Sequence, residues 1–362
     1  MSRTAHRVPL RWVSILTVAV AAVALLSPPA ALAHEPEFAA EFDRGGCTFS
    51  SFGSNPYFPL WPGLSLLLEG EEEDDEEELV EVSVLITVTT DVEVVDGVET
   101  RVVEERESED GELVEVSRNF FAHCRETGAV WYFGEDVDDY EDGEIVGHEG
   151  GWRAGVDGAT AGILMPGTPI SGARFFTEMA PGVAEDNSEV IGILDEFEVP
   201  LGTFEDVLEV VDSSALDPEE ADPKYYAPGV GLIQDEEIGL VEITPPLCQP
   251  DANTLCLNNG RFRVVADWTD FEMNEGDATA EQINDGSGEF WFFNPDNVEL
   301  LVKVLDGCDQ FGHFWFFAGG LTNVELTIEV TDLVADETLE YDNALGDPFE
   351  PVLDTTAFAT CP

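Results

Sequence analysis

The chain has 362 residues, with 14 Lys and Arg against 77 Asp and Glu and a formal net charge of -63. Hydrophobic residues make up 44% and aromatics 10%, enough for real cores over about two domains, which excludes a wholly disordered chain. A surface so acidic repels phosphate backbones and anionic lipid, so no nucleic-acid partner is expected. Its natural companions are cations, basic proteins or a saline medium, with glycan a further candidate.

Residues 1–33 read as a secretory signal peptide. Arg3, Arg7 and Arg11 form a positive start, and Val13 to Leu26 is apolar apart from Ser14 and Thr17. Ala31, Leu32 and Ala33 supply a small-x-small cleavage site, and Pro28-Pro29 ends an apolar run too short to span a bilayer comfortably. The expectation is a secreted or cell-surface protein with no stable membrane insertion after cleavage. Removing 33 residues with three Arg and no acid leaves 11 basic against 77 acidic groups, a charge of -66 on 329 residues. Only Lys224 and Lys303 are lysines. That pattern suits salt adaptation, because screening relieves self-repulsion, and it equally suits a calcium-rich surface.

Residues 34–54 show little periodicity and read as a leader. From residue 55 strand signals dominate. Val80, Val82, Val84, Ile86 and Val88 recur at every second position, the period of a strand with one buried face. Turn signals follow at Asp96-Gly97, Asp110-Gly111, Thr127-Gly128 and Asp142-Gly143, each leaving room for one strand. A second β-rich stretch covers Glu189 to Thr244, within which 204–211 scores equally as helix or strand. The expectation for 55–246 is an antiparallel meander. The acidic tract Glu69 to Glu78, broken only by Gly70, reads as a solvated hairpin tip, since crowded carboxylates resist burial.

Pro245-Pro246 reads as a linker. Beyond it Phe262, Val264, Ala266 and Trp268 alternate with polar partners, as do Val298 to Val304 and Val324 to Val330. Residues 247–362 are therefore expected to form a small β-sandwich. The Phe290, Trp291, Phe292 and Phe293 cluster is assigned to its core. All six cysteines lie beyond the cleavage site, and an even count in an exported chain points to disulfides. If pairing respects domains, Cys47 joins Cys124. Cys248, Cys256, Cys308 and Cys361 allow three connectivities, of which Cys256–Cys308 with Cys248–Cys361 is preferred.

Several stretches resemble known modules. Leu255 to Val264, Phe293 to Leu300, Lys303 to Cys308 and Leu321 to Glu325 resemble an uncharacterised family of exported bacterial β domains, usually a C-terminal accessory. Val130 to Asp136, Ala154 to Ala159, Ile163 to Gly167 and Pro223 to Gly231 resemble a second uncharacterised family of exported β domains. Both resemblances imply an extracytoplasmic all-β architecture and no chemistry.

Catalytic signals are sparse. His34, His123, His148 and His313 are the histidines past the cleavage site, and no two sit at ligand spacing. No G-x-S-x-G elbow occurs. His34 would become the mature N-terminus and a copper ligand only with a second His bracket, which the sequence does not supply. Asp138, Asp142, Gly143 and Glu149 match EF-hand spacing in part, but Tyr140 stands where an oxygen ligand belongs. A β-hairpin calcium site of Asp136, Asp138, Asp139 and Asp142 is weighed against a plain charged tip. Calcium is the one cofactor entertained. Glu135 and Asp157, near Trp131 and Trp152, could form a glycosidase-like carboxylate pair, against a core role for the aromatics with Gly134 as a bulge.

The reading is a secreted, non-enzymatic binding or structural protein with an acidic, cation- or salt-stabilised surface. The alternative is an extracellular carboxylate-dependent hydrolase acting on surface glycan. Acids spread over strand tips favour the first, and a buried carboxylate pair lining a cleft of the first domain favours the second.

Overall fold

The computed structural model describes residues 38–73, 79–217 and 221–361. Residues 1–33, read above as a signal peptide, His34 and residues 74–78 of the acidic tract lie outside them. The protein is nearly all β, as the alternation requires. The first half carries β1 (Phe49–Ser50), β2 (Ser54–Asn55), β3 (Phe58–Pro59), β4 (Ser65–Glu73), β5 (Leu79–Val95) and β6 (Val98–Glu109). It continues with β7 (Glu112–Cys124), β8 (Val130–Glu141), β9 (Glu144–Gly147), β10 (Trp152–Arg153), β11 (Thr160–Met165), β12 (Arg174–Phe176) and β13 (Glu178–Met179). Five longer pieces complete it: β14 (Asp186–Val199), β15 (Gly202–Ser214), β16 (Asp222–Ala227), β17 (Gly231–Asp235) and β18 (Ile238–Thr244). The 204–211 stretch is thus strand, settled by pairing with β14 and β16 on its two sides.

Among the described residues 16 strands join in one antiparallel sheet, whose main path runs β12-β14-β15-β16-β17-β18-β4-β5-β6-β7-β8-β11-β13. Its two ends, β12 and β13, are separated in the chain by Thr177 alone, so the sheet curls into a near-barrel. Thr177 N–H donates to the Asp186 carbonyl at 2.9 Å, and Ala39 of the N-terminal segment forms a parallel bridge with Phe175 of β12. Closure removes exposed edges, which a sheet this long would otherwise present. The tight turns match the sequence signals: Asp96, Asp110 and Asp142 have φ of 47°, 47° and 52°, each followed by a glycine also at positive φ.

Residues 38–54, which lack periodicity, pack onto the barrel. Phe49 stands edge-on to Trp131 and Phe133 at 5.3 Å, and Cys47–Cys124 fastens the segment to β7. The hairpin β2–β3 closes one end of the barrel, where Gly229 N–H donates to the Pro56 carbonyl and the Tyr57 hydroxyl donates to the Asp206 carbonyl.

The second half is a sandwich. One sheet contains β19 (Leu255–Leu257), β20 (Phe262–Thr269), β21 (Glu275–Asp277), β26 (Glu325–Asp332) and β27 (Glu337–Asn343). The other contains β22 (Thr279–Asn284), β23 (Ser287–Trp291), β24 (Leu300–Asp306), β25 (Phe314–Gly320) and β28 (Val352–Phe358). Inward residues of both sheets, Phe262, Val264 and Ile328 against Phe290, Val302 and Phe316, share one core distinct from the barrel's. In the aromatic cluster Phe290 and Phe292 are buried, whereas Phe293 is exposed.

The preferred cysteine pairing is corrected. Cys248 joins Cys256 and Cys308 joins Cys361. The turn after β19 sets Gly260 beside Cys248, within reach of Cys256. The strand pairing Phe314↔Phe358 holds the ends of β25 and β28 together, so Cys361 arrives next to the short helix α1 (Cys308–Phe311). The buried Asp332 fixes that tail as well: Arg261 Nη2 contacts its carboxylate at 2.7 Å and the Thr360 carbonyl at 2.6 Å. Cys256 lies in β19 and Cys308 follows β24, strands of different sheets, which local sequence order does not reveal.

Candidate functional site

The four aspartates proposed for calcium do not converge. On β8, Asp136 and Asp138 share one face while Asp139, one residue further, takes the other. Arg153 grips Asp136 through Nε at 3.0 Å and Nη2 at 2.5 Å. Arg118 contacts Asp138 at 2.6 Å and His148 contacts it at 2.9 Å, which holds that carboxyl below the usual range. Asp139 accepts the Glu149 N–H at 3.1 Å, and Asp142 is an exposed turn residue. Among the described residues, the one group of three His, Cys, Asp or Glu ligand atoms within 4.8 Å of one another is Cys47, Cys124 and Glu126, whose sulfurs form a disulfide. Two of the four aspartates, Asp136 and Asp138, are thus paired with arginine.

The candidate site is the inside of the barrel, a cavity of about 500 Å³. That size falls within the roughly 300–1,000 Å³ of small-molecule sites. Strand register explains its two-sided character. Across β4, β5, β6 and β7 one layer aligns Leu66, Ile86, Glu105 and Ser117. The layer towards the β2–β3 hairpin pairs Val88 with Val103 and Val103 with Asn119, and the layer towards the other end pairs Val84 with Glu107 and Glu107 with Glu115. Side chains two residues apart point the same way, so all of these face the cavity. The floor is apolar, with Phe58, Leu64 and Phe121, while the opposite end and the β6–β8 and β15–β17 walls are acidic.

Among the described residues eleven Asp and Glu line this cavity and Lys224 is its one cationic residue. Lys224 is held by Asp235 at 3.1 Å and Asp212 at 3.7 Å. Burial pulls its pKa down, but the two aspartates outweigh burial and leave it well above the ordinary lysine value. Lys224 is thus a fixed ammonium and no nucleophile. The Glu105 carboxyl is pushed up to about 7 by desolvation, relieved partly by Lys224 and aggravated by Asp235 and Glu115. Glu105 is enclosed by protein yet touches the cavity's own space, and among the described residues it makes no hydrogen bond or ion pair. Glu107 also rises to about 7, through desolvation and then Glu115 and Glu109.

A half-buried pair of carboxylates is present too. Glu135 is raised to about 7 by desolvation, partly opposed by the neighbouring Tyr132 hydroxyl, which itself donates to Asn119 Oδ1. Glu178 is raised well above its ordinary value by desolvation and the nearby Glu135, although it accepts the Trp152 Nε1–H at 2.7 Å. Asp157, the partner sequence spacing suggested for Glu135, sits at φ 48° in an exposed turn away from the cavity. Gly134 forms the expected bulge: its φ is 126°, a Cβ there would meet the Trp152 carbonyl at 2.2 Å, and the β7 register slips beside it. Trp131 and Phe133 are core, whereas Tyr132 and Glu135 open onto the cavity.

Sequence reasoning singled out Glu135 and noted Lys224 as one of two lysines, but missed Glu105, Glu107, Glu178, Asp212 and Asp235. Tyr132 and Glu135 lie in Val130 to Asp136 and Lys224 and Tyr226 in Pro223 to Gly231, two of the four stretches read above as resembling one family, and all four residues line the cavity. A second cavity of about 340 Å³ lies where the barrel and the sandwich meet, with Trp61 Nε1 and His123 Nε2 on its wall lacking hydrogen-bond partners among the described residues. Comparison of the chain with protein-family models, curated proteins and solved structures returned no match.

Proposed function

We propose that this is an extracytoplasmic, non-enzymatic binding protein that holds a small ligand inside the barrel. The cavity carries the reading: it is enclosed by strands, apolar at its floor and rich in polar groups above it, the usual make-up of a small-molecule site. Three disulfides suit an oxidising compartment, and among the described residues no helix is long and apolar enough to cross a membrane. The acidic exterior keeps such a carrier soluble and monodisperse.

The uncharged dye Nile red tests the binding reading without engaging charge. Titration should give saturable, blue-shifted emission at one site per chain, lost in Val103→Trp and in Ser117→Phe, which fill the cavity from neighbouring strands. Absent saturation, or equal binding by folded filled variants, overturns it.

One observation favours hydrolysis of a glycan as a second reading, namely the half-buried, desolvated Glu135 and Glu178. Glycoside hydrolysis needs one carboxyl protonated and its partner ionised, whereas burial raises both here. A panel of p-nitrophenyl glycosides separates the readings. Turnover by the wild type that is lost in both Glu135→Gln and Glu178→Gln would replace binding by catalysis.

A further inference from the structure

Resting on the binding reading above, we infer that the ligand is an amphiphilic organic cation, an ammonium group on an apolar chain. The ammonium would sit beside Glu105 and Glu107 and the chain along Ile86, Val88 and the floor. Three observations converge on this chemistry.

The first is charge balance. Lys224 is committed to Asp212 and Asp235, which leaves Glu105 enclosed with no hydrogen bond or ion pair among the described residues. A buried carboxylate without a partner is costly, and a cation delivered by a ligand is the partner that removes the cost. Without it protons take that role, which is why Glu105 and Glu107 hold theirs to about pH 7.

The second is geometry. Glu105 is register-paired with Ile86, and Val103, two residues earlier on the same face, is paired with Val88. Charge and apolar wall therefore meet at one level: the apolar strip of β4 and β5, with Leu66, Val84, Ile86 and Val88, runs beside the acids of β6, and Phe58, Leu64 and Phe121 extend the hydrocarbon at one end. A ligand with a polar head and an apolar tail satisfies both. A bare polyamine would leave the floor unfilled, and a neutral lipid would leave Glu105 alone.

The third is the spacing of the acids. Among the described residues no three cavity carboxylates bring one oxygen each within 4.8 Å of one another. Calcium requires six to eight oxygens at roughly 2.3–2.6 Å. An ammonium group needs two or three acceptors and tolerates looser placement.

The test compares octylammonium, octyl sulfate and octanol, each below its micelle-forming concentration and in physiological salt, by isothermal titration calorimetry. Wild type should bind one octylammonium per chain, octanol more weakly, and octyl sulfate not at all. The double variant Glu105→Gln, Glu107→Gln should raise the octylammonium Kd about tenfold or more while leaving octanol within about twofold. Val103→Trp should abolish the single-site binding of both, which separates the cavity from unspecific adsorption on the acidic exterior. If octyl sulfate or octanol binds as tightly as octylammonium, or the double variant binds octylammonium unchanged, the cation assignment is overturned while the barrel remains a binding site. If no probe binds and Nile red also fails, the binding reading falls with it.

Discussion

The clearest residue-scale consequence concerns Glu105, Glu107 and Glu135. Each is raised to about 7 by burial in the barrel, against an ordinary value near 4.5. Between those values the folded chain holds protons that the unfolded chain has released. Stability therefore falls as pH rises from about 4.5 through about 7 and levels off above. His123, lowered by burial, pulls the other way as a single group. Thermal melts from pH 5 to 8 should show this decline in the unliganded protein. Glu105→Gln should flatten it by up to about 1.4 kcal/mol per pH unit and should melt higher than wild type near pH 8. A lower melt for the variant at that pH would mean that the carboxylate has a partner.

At the scale of elements, the three disulfides close loops of very different length. Cys47–Cys124 spans 77 residues, Cys308–Cys361 spans 53 and Cys248–Cys256 only 8. Loop-closure entropy then ranks their contributions at about 4.5, 4 and 2.5 kcal/mol. Paired Cys→Ser variants should lower the melting temperature in that order. Cys47 and Cys124 matter most because they fasten a segment with little strand pairing of its own. Its anchors are the two-residue β1 and the packing of Phe42 and Phe49 on Trp131. A larger loss from the Cys248–Cys256 pair would show that native geometry outweighs chain entropy here.

Across the whole molecule, 77 acids against 14 Lys and Arg make self-repulsion the dominant long-range term. Screening should raise the melting temperature by several degrees between low salt and about 1 M NaCl, where the Debye length is about 3 Å. Calcium at matched ionic strength should add no saturable increment, because Arg153, Arg118 and His148 already occupy Asp136 and Asp138. A saturable calcium-specific rise would place a cation site elsewhere on the surface.

Much of the architecture was legible in the chain. Period-two runs such as Val80 to Val88 and Asp-Gly pairs such as Asp110-Gly111 specify strands and tight turns through local sterics and one-sided burial. The β-sandwich followed from the same alternation in Phe262 to Trp268. The cavity was not legible, because β6 reads Val103, Glu104, Glu105, Arg106, Glu107 and is polar on both faces. Period-two alternation cannot say which of those acids points inward. Only the curling of the sheet, sealed across Thr177, sets Glu105 opposite Lys224's wall and desolvates it. The cysteine pairing was likewise decided by the meeting of β25 with β28, a contact between segments about 40 residues apart. Local sequence thus determined strands, turns and charge, whereas enclosure, which turns an ordinary glutamate into a buried one, belongs to the tertiary structure alone.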